Sequence, residues 1–307
     1  MDNILIIGKG SISFKHKNII KKTFIKSNIE HISSRNFFLK YKDFKNKKYK
    51  ITIIANDSTA HLKVLKIIAS NSALIFIEKP ISNNYKKIEN LSQTKFYKRY
   101  KSKIWTGYNL IYSKLLKKIK KIIDDKQYGK LISVRCAVGH NVKYWRKKNI
   151  KESVSVNKNL GGGVLNELSH EISYLIYLLG DIEVIQAHSL KSYFKNIDVE
   201  DSSFVLFKNK NKVLISLAMD FYRDDKFREC QFIFEKGTIF VNFINGIITF
   251  KSNSKNFIMM NYKKDLEQTY NTQWKFLKKV VNNKIRNNDN LKNSILTLKI
   301  INEIKKF

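Results

Sequence analysis

Three short apolar runs with no polar interruption, ILII at 4–7, ITIIA at 51–55 and ALIFI at 73–77, punctuate the opening of the chain. Such runs suit strands covered on both faces. Between them the pattern turns helical. Residues 14–26 read as a helix, 29–33 as a second strand, and 60–70 carry Leu62, Leu65 and Ala69 at helical spacing. Strands alternating with helices make βαβ units and a parallel sheet. An all-helical or all-β chain is thereby excluded.

The first run leads straight into Gly8-Lys9-Gly10-Ser11-Ile12-Ser13. In a dinucleotide-binding unit the first glycine permits the tight turn. The second lets the backbone approach a pyrophosphate at the positive end of the following helix. The third position, usually glycine for close helix–strand packing, is Ser13. This strand–turn–helix context predicts a phosphate cradle at Gly8, Gly10, Ser11 and Ile12, with a plain βα turn as the alternative. An acidic residue at the tip of the second strand would mark the ribose of NAD. The tip reads Ser33-Ser34-Arg35 instead, and a guanidinium forks onto a 2′-phosphate. NADP is therefore expected ahead of NAD, unless Arg35 is one more surface cation.

The second half changes character. Segments 131–138, 182–190, 202–207, 213–218, 230–234 and 238–243 read as strands with few helices between them. KNKNK at 208–212 and EKG at 235–237 read as hairpin turns. The expectation is α/β throughout: a Rossmann doubly wound domain at 1–112, then an α+β domain at 113–307 with a large mixed or antiparallel sheet. Two helical segments, 266–282 and 291–305, close that second domain. A length of 307 residues suits two cores better than one.

Charge is lopsided, 59 Lys+Arg against 25 Asp+Glu. The lysines are spread along the chain, which is also rich in Asn and Ile and holds only 11 Gly and 1 Pro. A/T-rich codons give that composition, and no recognition motif accompanies the charge, so nucleic acid is not the expected partner. Cys136 and Cys230 read as buried small hydrophobes, in neither a disulfide nor a metal site. No His/Cys/Asp cluster has metal-ligand spacing, and no metal is expected. No apolar run approaches the ~18 residues of a membrane span, and the chain opens in a strand without a basic leader. A cytoplasmic protein is expected.

The single proline, Pro80, lies in FIEKPIS at 76–82, at the end of the run ALIFI. That is the carboxyl edge of the sheet, where open α/β folds bind ligands. Proline fixes its own φ and restricts the residue before it. Pro80 is expected to hold Lys79 extended into the cleft, within reach of a cofactor ribose and a substrate oxygen. A common strand-end proline beside an ordinary Glu-Lys pair is the alternative. Farther on, Gly161-Gly162-Gly163 forms a turn before a predicted helix with Leu165, Leu168, Ile172, Leu175, Ile176 and Leu179 as its buried stripe. Glu167 and His170 are i and i+3, neighbours on another face that Tyr174 extends. A carboxylate there orients the imidazole, and histidine carries protons near neutral pH. A satisfied helix histidine is the alternative. His61 opens the helix after NDST and is a candidate for a cofactor role. His16 reads as a surface or packing residue, and His31, His140 and His188 carry no pattern.

Taken in order, GKGSIS, ANDSTAH (55–61), EKP (78–80), TGYN (106–109), YGKLISVRCAVG (128–139), LGGGVLNELSHEISYLIYLLG (160–180), VEDS (199–202) and EKGTI (235–239) resemble the Gfo/Idh/MocA oxidoreductases over nearly the whole chain. The resemblance implies a Rossmann domain plus an α/β domain whose open sheet serves oligomer contacts, in a homo-oligomeric dimer or tetramer. It implies NAD(P) chemistry at a carbinol or ketone carbon of a sugar, inositol or nucleotide sugar. It makes Lys79 the active-site lysine and His170 the acid/base, with Glu167 beside it. It extends the cofactor set to Ala55, Asn56, His61, Glu78 and Lys79. Tyr108 and Asn109 at the domain crossing, and Trp145 and Arg146 in KYWRKKN, become substrate candidates, the arginine suiting a phosphate or carboxylate. Similar relatives occur in bacterial surface-sugar pathways. The chain departs from the pattern at Ser13, at Asn56, at Glu167 in place of Asp, and at Ile111 and Ser113 in place of Arg and His. These departures permit an altered substrate, or a catalytically degenerate relative that binds dinucleotide and acts as a regulator or scaffold.

Overall fold

The computed structural model describes residues 2–145, 153–282 and 289–307. It divides into two compact units, Met1–Tyr108 with Tyr270–Leu298, and Asn109–Thr269 with Lys299–Phe307.

The first unit runs β1 (Asp2–Ile7), α1 (Ser11–Thr23), β2 (Ser27–Ile32), α2 (Ser34–Leu39), α3 (Tyr41–Lys45), β3 (Tyr49–Ile54), α4 (His61–Ile68), β4 (Ser72–Ile77), α5 (Tyr85–Ser92), α6 (Lys95–Tyr100) and β5 (Ile104–Thr106). The five strands are parallel in the order β2-β1-β3-β4-β5. Period-two alternation sends each strand to two cores. Leu5, Ile7, Ile54, Ile75 and Ile77 face one helical layer with Val64, Leu65, Ile68, Ile88 and Leu91. Ile4, Ile6, Ile51, Ile53, Leu74 and Phe76 face the other with Ile20 and Phe24. Each fully buried aliphatic side chain contributes roughly 1.5–3 kcal/mol. The uninterrupted apolar runs are the sequence trace of this double coverage.

The second unit adds α7 (Lys114–Asp124), β6 (Leu131–Gly139), α8 (Val164–Glu167), α9 (His170–Leu179), β7 (Ile182–Leu190), β8 (Ser202–Asn209), β9 (Leu214–Asp220), β10 (Phe227–Phe234), β11 (Gly237–Asn242), β12 (Ile247–Lys251) and β13 (Asn256–Asn261). Its eight strands lie in the order β13-β12-β11-β10-β6-β9-β8-β7, all antiparallel except the β6–β9 pair. The expected turns hold. In KNKNK, the Asn209 carboxamide oxygen accepts from the N–H groups of Asn211 and Val213. In EKG, Phe234 and Gly237 pair across a two-residue loop.

Two expectations are corrected. The closing helices, α10 (Asp265–Val281) and α11 (Asp289–Ile304), were expected in the second domain, but most of each belongs to the first unit. The reason is packing: Trp274 and Leu277 complete one core of the parallel sheet, Leu291 and Leu298 the other. Cys136 and Cys230 are buried as expected, but they are joined as a disulfide. They stand opposite each other in the β6–β10 register, with Cα atoms 4.3 Å apart. A separation of 94 residues hides that pairing from any spacing argument.

Candidate functional site

In the first unit the site begins at the turn after β1. Gly8 has φ +128°, and a Cβ there would run into the Ala55 carbonyl at the end of β3. Only glycine tolerates both conditions. Gly10 is the N-cap of α1, and a Cβ on it would meet nothing within 4 Å, so the helix start opens onto space. Ser11 is exposed and Ile12 half-buried, with its side chain against the core. The first turn of α1 carries no acidic residue. Its unpaired N–H groups and helix dipole favour an anion. Ser13 does not obstruct this cradle. It is fully buried, and its hydroxyl donates to the Gly10 carbonyl at 2.7 Å.

The neighbouring strand tip is cationic. His31 Nε2 donates to the Gly8 carbonyl at 2.7 Å, which leaves Nδ1 a bare acceptor with no partner among the described residues. Burial, with Lys9 and Lys17 nearby, lowers the His31 pKa against the raising effect of the Gly8 carbonyl. The Lys9 ammonium donates to the His31 carbonyl at 2.9 Å. Ser33 caps α2 by accepting the Asn36 N–H, and Ser34 accepts from the Asn56 carboxamide at 3.1 Å. Arg35 is exposed. Asn56 Oδ1 is a buried acceptor with no partner among the described residues. A glycine cradle and a bare helix start fit the pyrophosphate of a dinucleotide, and the two orphaned acceptors suit hydroxyl donors such as those of a ribose.

At the end of β4, Glu78 is buried and Lys79 half-buried, and the Lys79–Pro80 peptide is cis. His61 joins two loops: Nδ1 lies 3.0 Å from the Pro80 carbonyl and Nε2 3.0 Å from the Asn56 carbonyl. Burial lowers its pKa, against the two carbonyls and the charges of Glu78 and Asp57. Of the two readings of His16, surface and packing, the structure keeps packing and adds a hydrogen bond. His16 is fully buried and bonds Glu78 at 2.6 Å. His31 likewise has a place, on Gly8, that no sequence pattern announced.

The second unit holds the other candidates. Gly161 and Gly163 take φ +82° and +111°, and a Cβ on Gly162 would sit 2.6 Å from the Ser155 and Val154 carbonyls. Glu200 accepts the Leu165 N–H at the start of α8, and its carboxylate fills the space beside Gly163. Nothing in the spacing of VEDS points to that contact, which only the fold brings about. The expected continuous helix is broken between Glu167 and His170. Asn166 donates to the Gly161 and Gly162 carbonyls, and the Ser169 hydroxyl to the Asn166 carbonyl, so side chains compete with the helix ladder. Glu167 therefore ends α8 and His170 opens α9, both half-buried. Tyr174 does not extend an open face. It is fully buried, with its hydroxyl 3.1 Å from Cys230 Sγ. Glu171, also fully buried, pairs with Arg228 at 2.8 Å.

Of the substrate candidates, Tyr108 and Asn109 are buried, and Asn109 donates to the Thr269 hydroxyl at 2.6 Å. Ser113 caps α7 and bonds Asp265, a structural use for a residue that departs from the family pattern. Trp145 is half-buried and packs against His140 and Phe221. Arg146 lies outside the described residues. Among the described residues no group of three or more His, Cys, Asp or Glu is placed to hold a metal ion, and no helix is long and apolar enough to cross a membrane.

Residues 116–240 match the model of the GFO/IDH/MocA C-terminal domain. No curated protein matches the chain by sequence. Among solved structures, an oxidoreductase from Thermotoga maritima superposes with a TM-score of 0.82 at 14% identity, covering 99% of this chain and 95% of its own. Levoglucosan dehydrogenase in complex with NADH and levoglucosan gives 0.81 at 14% identity, covering 99% and 96%. A myo-inositol dehydrogenase from Corynebacterium glutamicum gives 0.77 at 13% identity, covering 100% and 96%. The fold is shared along essentially the whole length of these chains.

Proposed function

We propose, from a chain of Gfo/Idh/MocA type whose matched C-terminal domain and shared fold bear out the resemblance, an NAD(P)-dependent oxidoreductase. It would move a hydride between the nicotinamide and a carbinol or ketone carbon of a sugar or nucleotide sugar. The observation that carries this proposal is the cradle at Gly8 and Gly10, where a positive φ, a contact no Cβ would fit and an open helix start coincide. Sugar-like substrates are supported by the two neighbours named for levoglucosan and myo-inositol. NADP is put ahead of NAD because Lys9, Ser34 and Arg35 stand about the tip of β2 without a carboxylate. Cytoplasmic surface-polysaccharide synthesis is the proposed setting, on the resemblance.

The nicotinamide, when bound, supplies the hydride chemistry. The chain supplies the rest. Gly8, Gly10 and the N–H groups of Ser11 and Ile12 bind phosphates, Ala55 and Asn56 border the turn, and His61 and Glu78 hold the loop of Lys79. Lys79 steadies developing negative charge on the substrate oxygen, and His170 carries its proton, with Glu167 across the helix break as its proposed partner. Tyr108, Asn109, Trp145 and Arg146 remain the substrate candidates. Sugars and nucleotide sugars should be screened for dinucleotide oxidation or reduction. With a verified substrate, Lys79→Ala is expected to abolish turnover while cofactor affinity stays within about threefold, an effect confined to the transition state. Unchanged turnover would refute the role of Lys79.

A further inference from the structure

Behind Lys79, inside the first unit, lies a buried chain of polar groups, of which the proposed chemistry uses only the last, Glu78. The indole N–H of Trp274, on α10, donates to His16 Nδ1 at 2.9 Å. An indole nitrogen donates only, so His16 Nδ1 must be the unprotonated acceptor. The ring proton then sits on Nε2, which donates to Glu78 Oε1 at 2.6 Å. The other carboxylate oxygen, Oε2, accepts the backbone N–H of Lys79 at 3.2 Å. Trp274 and His16 are fully buried and Glu78 nearly so. Gly107, from TGYN, completes the arrangement by omission: a Cβ there would lie 2.7 Å from the Glu78 carboxylate. Phe76 packs edge-on against the imidazole, with ring centroids 5.0 Å apart.

Each link has a fixed direction, from donor Trp274 through His16 to acceptor Glu78, and the last acceptor oxygen holds the backbone of Lys79. We propose that Trp274, His16 and Glu78 form a positioning device that sets the placement of Lys79, with Gly107 giving room for the carboxylate. The inference concerns how Lys79 is held; its importance for turnover rests on the function proposed above. Glutamate suits this place because two donors, His16 Nε2–H and Lys79 N–H, need two acceptor oxygens. Glutamine offers one. Removing the indole N–H frees the imidazole tautomer without touching any charge.

The test needs no cofactor. The full chain and its Glu78→Gln and Trp274→Phe variants would be treated with N-hydroxysuccinimidyl acetate. Acylation of Lys79 would be followed by peptide mass spectrometry as a ratio to exposed Lys117 on α7. Phe44→Leu, in the opposite core of the same unit, is the control for loss of stability alone. The expected result is a change of at least about threefold in the Lys79 ratio for both variants, the low end of coupling between contacting groups. The control should leave the ratio unchanged at a similar loss of Tm. Nitrogen-15 spectra of the wild type should show His16 protonated at Nε2, and Trp274→Phe should shift that signal. An unchanged ratio in folded Glu78→Gln and Trp274→Phe, or a proton on Nδ1, would overturn the proposal. If the ratio moves but neither NADPH nor NADH binds, the oxidoreductase reading falls and the positioning device stands.

Discussion

Asp201 is a fully buried carboxylate that stays ionised because four donors surround it. It accepts the N–H groups of Ser192, Tyr193 and Phe194 and the Ser192 hydroxyl, each at 2.8 Å. Burial alone would raise its pKa, but these bonds reverse the shift and lower it. A carboxyl with a depressed folded pKa adds stability above its unfolded value, near 4. That stability is lost as pH falls through the folded value. Asp201→Asn should therefore cost about 2 kcal/mol or more at neutral pH, since bonds to a charged acceptor are lost and donors are left buried. It should also flatten the acid limb of Tm against pH. Equal urea midpoints for variant and wild type at neutral pH would contradict this account. Asp201 was not legible as an anchor, because its donors lie in a loop that no periodicity marks. The same holds for His16, whose partners are 62 and 258 residues away. The Gly8 turn was legible because its geometry is local: a strand, a turn and the next few residues.

The element that most needs its sequence is the β1–α1 turn. Gly8→Ala would force a left-handed φ on alanine and drive its Cβ into the Ala55 carbonyl. The strain is about 1–3 kcal/mol, and relief requires β1 and β3 to part where the dinucleotide should lie. Dinucleotide affinity is expected to drop at least about tenfold, more than the change in Tm implies. Isothermal titration of Gly8→Ala with an affinity equal to wild type would contradict the cradle. The strands of the parallel sheet could be read because double burial leaves whole runs apolar. The break between α8 and α9 could not. Its apolar spacing continues across the gap, while Asn166 and Ser169 spend their hydrogen bonds on nearby carbonyls. The Cys136–Cys230 pairing was equally silent, since only strand register brings the two residues opposite.

At the scale of the molecule, two units carry two different sheets, and the second exposes apolar side chains on one face among polar neighbours such as Gln186, His188 and Lys208. Phe204 is 58% exposed on β8, with Leu206 beside it and Leu214 on β9 exposed on the same face. Val205, Phe207 and Ile215 point to the covered side. A second copy of the chain is the proposed partner for this face, in keeping with the expected homo-oligomer. Phe204→Asp should yield a monomer by light scattering with its fold intact, because a charge on an apolar interface is left desolvated. A wild-type chain that is already monomeric would contradict the proposal. The assignment of α10 and α11 is also a whole-molecule result. Their helical patterns were plain in the sequence, but the sheet they cover is set by Trp274, Leu277, Leu291 and Leu298 meeting strands far away in the chain.

The central claim, that this chain binds a nicotinamide dinucleotide in its first unit, is tested most directly by titrating the purified protein with NADPH and NADH. Quenching of tryptophan fluorescence, to which buried Trp274 contributes, would report binding at low and high salt. Saturable binding that survives salt, tighter for NADPH, is the predicted result, because a fitted cradle is less screened than a cationic surface. No binding, or binding that disappears with salt, would contradict it and remove the cofactor on which the oxidoreductase reading rests.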